Sequence, residues 1–262
     1  EFPPMPVFEE DNAMTFDGSE LRKMIQQVAF AASTDDARPI LQGIYLTAAG
    51  KTMTMVATDG FRIAIRNSTL EDSFTQPLSA IIPARALVEL VRITNDSDKQ
   101  IMMTISAGRN QVIFHLPQLD LASQTISGNY VDYKAIVPKS FQTTTVVSTA
   151  AFQKTCSQAM IIARDSKYLT RFNIMGQENG MGKIQVTAQS EESGFYENYI
   201  DANVDGPDIH IAFNVLFLKE VLDVITTPNV SLRTNTNVSP GLIVPLDNEN
   251  EFQYVIMPMH LG

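Results

Sequence analysis

The alternation of hydrophobic and polar positions is clearest over residues 55–66. An apolar run at 55–57 ends in the turn sequence Thr58-Asp59-Gly60, in which the aspartate side chain can hydrogen-bond the backbone and the glycine tolerates a positive φ. Apolar residues then stand at 61, 63 and 65, with arginine or alanine between them. The stretch predicts a tight β-hairpin, which by itself indicates architecture rather than function.

Helical and strand patterns follow one another in the same order in each half of the chain. Helices with apolar residues three and four positions apart are predicted over 19–30, 84–94, 149–164 and 214–226. In the first half, strands are predicted over 13–17, 41–48, 52–57, 61–66, 79–82, 101–106, 111–116 and 120–126, with a polar loop over 67–78. In the second half they are predicted over 143–148, 168–175, 183–189, 194–202 and 209–213, and the residues beyond 226 alternate to the C-terminus.

The two halves repeat with a period of about 130 residues, which is longer than a solenoid unit and indicates duplicated domains. Each domain has two predicted helices and about eight strands, so we expect the strands to divide into two sheets with both helices on one side. Proline-rich or turn-forming connectors give the boundaries: linkers at 1–12 and 129–138, and domains at 13–128 and 139–262. Across the repeat, Leu21 corresponds to Phe152, Val56 to Val186, and Pro83 to Phe213.

The composition is that of an ordinary globular protein, with 44% hydrophobic and 18% charged residues among 262. No apolar run reaches the roughly 18 residues of a membrane-spanning helix, and no signal peptide opens the chain. The sequence therefore predicts a cytoplasmic protein with no membrane partner. Its one cysteine, Cys156, cannot form an internal disulfide and is predicted to be a buried structural thiol.

The net charge of −10 argues against a nucleic-acid partner until the position of the charges is considered. The four predicted helices carry seven basic and four acidic residues, a net charge of +3, so the rest of the chain carries −13. One interpretation is a helical face that attracts phosphate weakly and without sequence preference. The other is that lysine and arginine are simply good helix formers. The basic residues are Arg22, Lys23, Arg85, Arg92, Lys154, Arg164 and Lys219.

Catalytic chemistry has little support in the sequence. Histidines 115, 210 and 260 are isolated, and the acidic runs at 191–192 and 249–251 lie in turn contexts. The chain contains no dinucleotide-binding glycine motif, phosphate-binding loop or nucleophile elbow. We therefore predict no enzymatic activity, no catalytic residue, no metal site and no cofactor.

Four motifs in register resemble the bacterial sliding clamps, the β subunits of DNA polymerase III. Residues 57–64, Ala-Thr-Asp-Gly-Phe-Arg-Ile-Ala, are similar to that family's A-T-D-G-H-R-L-A hairpin, and Ile82-Pro83-Ala84-Arg85 opens a helix in the same way. Residues 133–138 resemble the interdomain linker. The end of the chain, Tyr-Val-Ile-Met-Pro-Met-His-Leu at 254–261, is similar to the terminal Y-V-V-M-P-M-R-L.

The resemblance implies an α+β DNA-clamp fold with two tandem copies of one domain, each with two helices on one side of two antiparallel sheets. Clamp subunits have three such domains, and two subunits form a ring around duplex DNA. This chain resembles the second and third domains, so residues 1–12 are expected to be the linker that follows a first domain, and the chain alone is not expected to close a ring.

By the same resemblance, the full-length protein is a homodimeric processivity factor of DNA replication. It holds the replicative polymerase, the clamp loader and repair proteins through short peptides bound between the second and third domains. The alternative is a peptide-binding scaffold of clamp fold that does not encircle DNA. By matching position, the peptide groove comprises Leu41, Thr58, Gly60, Phe61, Arg62, Ile63, Val131, Ile136, Val238, Pro240, Val255, Ile256, Met257, Pro258, Met259 and Leu261.

The groove departs from the family pattern in the direction of lower charge. Phe61 replaces the usual histidine, His260 an arginine, Val131 a proline and Ala135 a frequent arginine. These replacements predict an altered peptide preference, with methionine-rich walls that can repack around different anchors. At 39–40 the chain has proline and isoleucine, where some members carry DNA-contacting tyrosines, so that contact is not expected.

Overall fold

The computed structural model describes residue 8 and residues 13–95, 97–106, 110–177 and 180–260, apart from the side chains of 71–76. The chain divides into two compact units. The first contains the residues up to Gly60 together with Ala64–Val131, and the second contains Phe61–Ile63 together with the residues from Asp132 onward. The three residues after the hairpin turn are thus part of the second unit.

The first unit combines two helices with antiparallel strands. Strands β1, β4, β5 and β6 form a sheet in that order, β2 neighbours β3, and α1 packs against α2. The first two residues of β3 belong to the second unit. The elements are β1 (Met14–Asp17), α1 (Gly18–Ala29), β2 (Gly43–Thr58), β3 (Arg62–Pro83), α2 (Ala84–Ile93), β4 (Gln100–Ser106), β5 (Gln111–Leu116) and β6 (Leu119–Gln124), with a 3-10 helix at Pro39–Gln42.

Helix α1 begins where the sequence supplies a carboxylate. Asp17 accepts hydrogen bonds from the Ser19 hydroxyl at 2.7 Å and from the Glu20 amide at 2.8 Å, and these bonds lower the pKa of Asp17. The second bond satisfies an N–H group that has no partner within the helix. Leu21 and Met24, one turn apart, are then buried on the inner face of the helix.

The second unit repeats this arrangement with eight strands. Their order is β11-β8-β9-β10-β7-β12-β13-β14, with antiparallel pairing throughout, and α3 packs against α4. The elements are β7 (Thr143–Ser148), α3 (Thr149–Ala163), β8 (Leu169–Gly176), β9 (Met181–Ser190), β10 (Gly194–Asp205), β11 (Ile209–Asn214), α4 (Val215–Val224), β12 (Asn229–Thr234), β13 (Gly241–Pro245) and β14 (Phe252–Ile256), with 3-10 turns at Tyr133–Ala135 and Arg164–Ser166.

The predicted fold class, α+β in two tandem copies with two helices each, is confirmed. Among the described residues no helix is long and apolar enough to span a bilayer. Residues aligned across the sequence repeat occupy equivalent elements: Leu21 and Phe152 are buried on α1 and α3, Val56 and Val186 are buried in β2 and β9, and Pro83 and Phe213 lie at the ends of the strands that precede α2 and α4.

The predicted polar loop over 67–78 is wrong, because β3 runs without interruption from Arg62 to Pro83. Polar residues predict exposure, but an antiparallel strand can face water on one side while its backbone is paired with its neighbours. The strands predicted at 41–48 and 52–57 are likewise assigned as one strand, Gly43–Thr58. Gly50, with a φ of 57°, lies in the exposed stretch between them.

Three fully buried phenylalanines join helix and sheet in the core of the second unit. The ring of Phe172 on β8 lies 6.1 Å from that of Phe152 on α3 and 5.9 Å from that of Phe213 on β11, measured between centroids. The first pair is edge-to-face and the second is tilted, arrangements that favour aromatic contact. One strand residue therefore links a helix and a second strand.

Cys156 lies on the inner face of α3 and is completely buried. Burial raises the pKa of its thiol, so the reactive thiolate is disfavoured at neutral pH. We expect no reaction with an aromatic disulfide reagent in the folded protein and one equivalent of reaction in denaturant, measured by absorbance. Labelling of the native protein at the rate of a free cysteine would contradict the buried position.

Candidate functional site

The C-terminal segment is held by backbone hydrogen bonds at two alternate residues. The Met257 amide donates to the Phe61 carbonyl at 2.9 Å, and the Met259 amide donates to the Ala212 carbonyl at 2.8 Å. Pro258, between them, has no N–H to satisfy. Ala212 belongs to β11, the terminal strand of the second unit's sheet order, so the Met259 amide pairs with a backbone acceptor that an edge strand leaves open.

The predicted groove residues of the second unit range from buried to exposed. Ile63, Val255 and Ile256 are buried, whereas Pro258 and Met259 are half-buried. The pairing of Gly241 with Ile256 in the β13–β14 ladder sets Pro240 next to Met257 in register. The exposed apolar side chains are Phe61 at 59%, Val238 at 62%, Ile136 at 38% and Met257 at 38%.

Four predicted groove residues, Leu41, Thr58, Gly60 and Val131, belong to the first unit. Thr58 is buried, and its hydroxyl accepts a hydrogen bond from the Gly60 amide at 3.1 Å. Gly60 has a φ of 93°, which explains why the turn requires glycine. Leu41 and Val131 are half-buried. Leu261, the last predicted residue, lies outside the described residues.

Arg38 supports the hairpin turn, although the sequence analysis did not identify it. Its guanidinium donates to the Asp59 carbonyl at 2.8 Å and to the Asp35 carboxylate at 3.0 Å. The Ala37 amide and this guanidinium lower the pKa of Asp35. The only local pattern in the sequence is the spacing of three residues between Asp35 and Arg38, which is common on protein surfaces. It does not predict a contact with Asp59, which is 21 residues away.

Arg62 is directed into the second unit and is only 6% exposed. Its guanidinium forms an ion pair with Glu220 on α4 and lies over the ring of Phe217, 4.1 Å from the centroid. Burial opposes the charge, but Tyr254 and Glu220 outweigh it and raise the pKa of Arg62. The arginine that the sequence analysis placed in the groove is thus engaged by three residues of its own unit.

Arg66 repeats this arrangement in the first unit. It is 2% exposed and pairs with Glu20 on α1 at 2.7 Å. The hairpin strand therefore carries two buried arginines, each neutralised by a helix carboxylate. Two of the four helix acids are paired in this way. When Arg62 and Arg66 are counted together with the helices, the net charge rises from +3 to +5.

The seven basic helix residues differ in exposure and partners. Two form ion pairs along their own helix: Arg92 with Glu89, and Lys219 with Asp223. Ion pairs that water can reach lower the local positive field and contribute little stability. Arg22 donates to the Asn95 carbonyl at 2.6 Å. Arg85, Arg92, Lys154 and Arg164 are exposed, whereas Arg22, Lys23 and Lys219 are half-buried.

Metal-ligating side chains are dispersed in the part of the chain that the structure describes. No group of three or more histidine, cysteine, aspartate or glutamate side chains there could hold a metal ion. His115 is engaged with Asp120 at 2.5 Å and His210 with Asn173 at 2.6 Å. The arrangement offers backbone and apolar surface for binding, with cations on the helices.

Two family models match nearly the whole chain. The model described as the DNA polymerase III beta subunit, central domain, matches residues 15–132, and the one described as the C-terminal domain matches residues 134–260. A beta sliding clamp of Halalkalibacterium halodurans is 29% identical over 252 residues, 95% of this chain and 65% of the relative. One from Staphylococcus epidermidis is 26% identical over 257 residues, 98% of this chain and 66% of the relative.

Solved structures give the same similarity. A DNA polymerase sliding clamp from Bacillus subtilis superposes with a TM-score of 0.93 at 25% identity, covering 100% of this chain and 68% of that one. The DNA polymerase III beta chain of Streptococcus pneumoniae superposes with a TM-score of 0.91 at 25% identity, covering 99% and 68%. The chain spans about two thirds of the length of the curated relatives it matches.

Proposed function

This chain belongs to the family of DNA polymerase III beta subunits, and we propose from this premise that it supplies two domains of a replication sliding clamp. In the proposed function, the whole protein encircles duplex DNA as a homodimer and tethers the replicative polymerase, the clamp loader and repair proteins. The tethered partners insert short peptides between the two domains of this chain. We assign the domains to 13–128 and 139–262, with connecting segments at 1–12 and 129–138.

One observation carries the peptide-binding part of the proposal. The hydrogen bond from the Met257 amide to the Phe61 carbonyl joins the chain end to the residue that follows the hairpin turn. These are two of the four sequence motifs that resemble clamps, and the one at the C-terminus is the most specific of the four. The exposed side chains of Phe61, Val238 and Met257 leave apolar surface there for the anchors of a peptide.

The helices support the DNA-binding part. The two acids of the hairpin ion pairs, Glu20 and Glu220, are neutralised by arginines, so the exposed cations Arg85, Lys154 and Arg164 are not opposed by them. Phosphate contacts of this kind are independent of base sequence and weaken as salt is raised. Such contacts suit a protein that moves along DNA.

The proposed role is tethering, and it assigns no chemical step to any residue of the chain. It also keeps the sequence-based prediction of a cytoplasmic protein, because the bacterial chromosome and its polymerase lie in the cytoplasm. The peptide-binding scaffold that does not encircle DNA is the competing proposal.

Retention on DNA separates the two proposals. We expect the whole protein, placed on nicked circular DNA by its clamp loader, to stay bound through gel filtration in high salt, because a closed ring cannot leave a circle. Linearising the DNA removes that obstacle, and most of the bound protein is then expected to elute free.

The matched control is the same DNA cut before loading and blocked at both ends by bound protein, which should restore retention. Equal retention on open linear and circular DNA would contradict topological holding. Absence of retention on either DNA, with polymerase peptides still bound, would favour the scaffold.

A further inference from the structure

We propose that Glu220 is a positioning residue for the peptide groove: by pairing with Arg62 it fixes Phe61 and, through the Phe61 carbonyl, the C-terminal segment that begins at Met257. This inference rests on the proposed function and extends it to a residue outside the predicted groove. The contacts that carry it all lie within the second unit.

The first step is the confinement of the Arg62 side chain. Glu220 on α4 forms an ion pair with the guanidinium. Phe217, one turn earlier on the same helix, has its ring beneath the guanidinium, with 4.1 Å between Arg62 Cζ and the ring centroid. The Tyr254 hydroxyl donates to the Phe217 carbonyl at 3.1 Å, which ties β14 to the same turn of α4. A planar guanidinium matches both a carboxylate and an aromatic face, so arginine is better suited to this position than lysine.

The second step is the short path from Arg62 to the groove. Phe61 is the adjacent residue, its side chain is 59% exposed, and its carbonyl accepts the Met257 amide at 2.9 Å. The Arg62 side chain points inward while its neighbour presents an apolar ring to solvent. Confinement of the buried side chain therefore limits the backbone freedom of both residues that form this wall of the groove.

The third step is the consequence of removing the carboxylate. A guanidinium that is 6% exposed cannot remain there without a counter-ion at low cost, so it is expected to turn toward water and leave the Phe217 ring. The backbone at residues 61 and 62 then gains freedom, and the Met257 amide loses a fixed acceptor. Peptide binding has to restore this order and is weakened accordingly.

The first unit provides a matched control for the loss of such an ion pair. Glu20 and Arg66 form the same kind of pair, with side-chain exposures of 35% and 2%, against 33% and 7% for Glu220 and Arg62. Both glutamates lie on helices and both arginines on β3. We therefore expect Glu20→Gln and Glu220→Gln to have similar effects on stability, although only Glu220 pairs with the residue next to Phe61.

The test uses a fluorescein-labelled peptide of the replicative polymerase and measures anisotropy with the unmodified chain, Glu220→Gln and Glu20→Gln. We expect Glu220→Gln to bind about tenfold more weakly, and Glu20→Gln to bind within about twofold of the unmodified chain. Glu220→Asp, which keeps the charge on a shorter side chain, should recover part of the affinity. In the absence of peptide, hydrogen exchange at the Met257 amide should accelerate in Glu220→Gln alone.

The outcomes distinguish this inference from the proposed function. If the unmodified chain does not bind the peptide, the peptide-binding proposal fails, while the Met257 exchange rate still tests the positioning role. If the unmodified chain binds the peptide and Glu220→Gln binds it equally well, the positioning role of Glu220 is wrong, and the same follows if hydrogen exchange at the Met257 amide is unchanged. The peptide-binding proposal is not contradicted by either result. Should Glu220→Gln unfold the second unit, Glu220→Asp and Phe217→Leu make the same comparison in milder form.

Discussion

Replacing Met257 with aspartate is expected to weaken binding of a polymerase peptide about a hundredfold, or nearly 3 kcal/mol. The side chain is 38% exposed, so aspartate can reach water in the free protein without disturbing the core. A bound peptide would cover that position, and the carboxylate would then lose its hydration without gaining a partner. Calorimetric titration of the chain with the peptide measures the effect directly.

The chain offers a more exposed methionine for comparison. Met181 on β9 is 60% exposed and has no place in the predicted groove, so Met181→Asp should leave the affinity unchanged. Met259→Asp should reduce it as Met257→Asp does. Deleting residues 257–262 should abolish binding, but it also removes the hydrogen bonds to Phe61 and Ala212, so the point variants are more informative. Unchanged affinity in Met257→Asp would reject the groove assignment.

The spacing of apolar residues along the chain was sufficient to predict most of the helices and strands, because that spacing depends on the geometry of a single element. Buried positions three and four apart on α1, such as Leu21 and Met24, follow from the geometry of one helix packed on one core. The predicted helices over 19–30 and 84–94 agree with α1 and α2 within a residue or two. Polar stretches were less predictable, since residues 67–78 lie within strand β3 although their composition is also typical of a loop.

The candidate site was less accessible to sequence reasoning because its contacts are remote along the chain. Arg62 and Glu220 are separated by 158 residues, and neither has a neighbour in sequence that indicates the other. Arg62 and Arg66 stand at the polar positions of the alternating stretch, yet both are buried, and each is paired with a helix carboxylate. The identities of the groove residues came from resemblance to a family, and the charge pairing behind them came from the structure.

The two buried ion pairs are alike in kind but are not copies produced by the duplication, since α1 corresponds to α3 in the repeat, whereas the second glutamate lies on α4. In each unit a buried arginine of β3 meets a glutamate on a helix, and in each unit that helix packs against the second helix of its unit. A buried arginine needs its carboxylate, so these pairs restrict which helix face can turn toward the strand. Of the exposed cations that the proposed function assigns to DNA, Arg85 and Lys154 lie on the other two helices, α2 and α3.

Truncating Phe172 to alanine is expected to lower the free energy of unfolding of the second unit by about 3–5 kcal/mol. Its ring contacts Phe152 on α3 and Phe213 on β11, so the resulting cavity lies where a helix and two strands meet. Close-packed neighbours cannot fully collapse into such a space. Urea unfolding followed by circular dichroism measures the loss.

An exposed phenylalanine on β10 serves as the control for Phe172→Ala. Phe195 is 63% exposed, so Phe195→Ala should change the unfolding free energy by less than about 0.5 kcal/mol. Leucine at position 172 should recover most of the loss, because it refills the volume without the aromatic geometry. If Phe172→Ala and Phe195→Ala had equal effects on the unfolding free energy, the aromatic cluster would not be what holds α3 against the sheet. The C-terminal segment is hydrogen-bonded to β11 at Ala212, so contacts other than this cluster would then have to hold β11 in place beneath it.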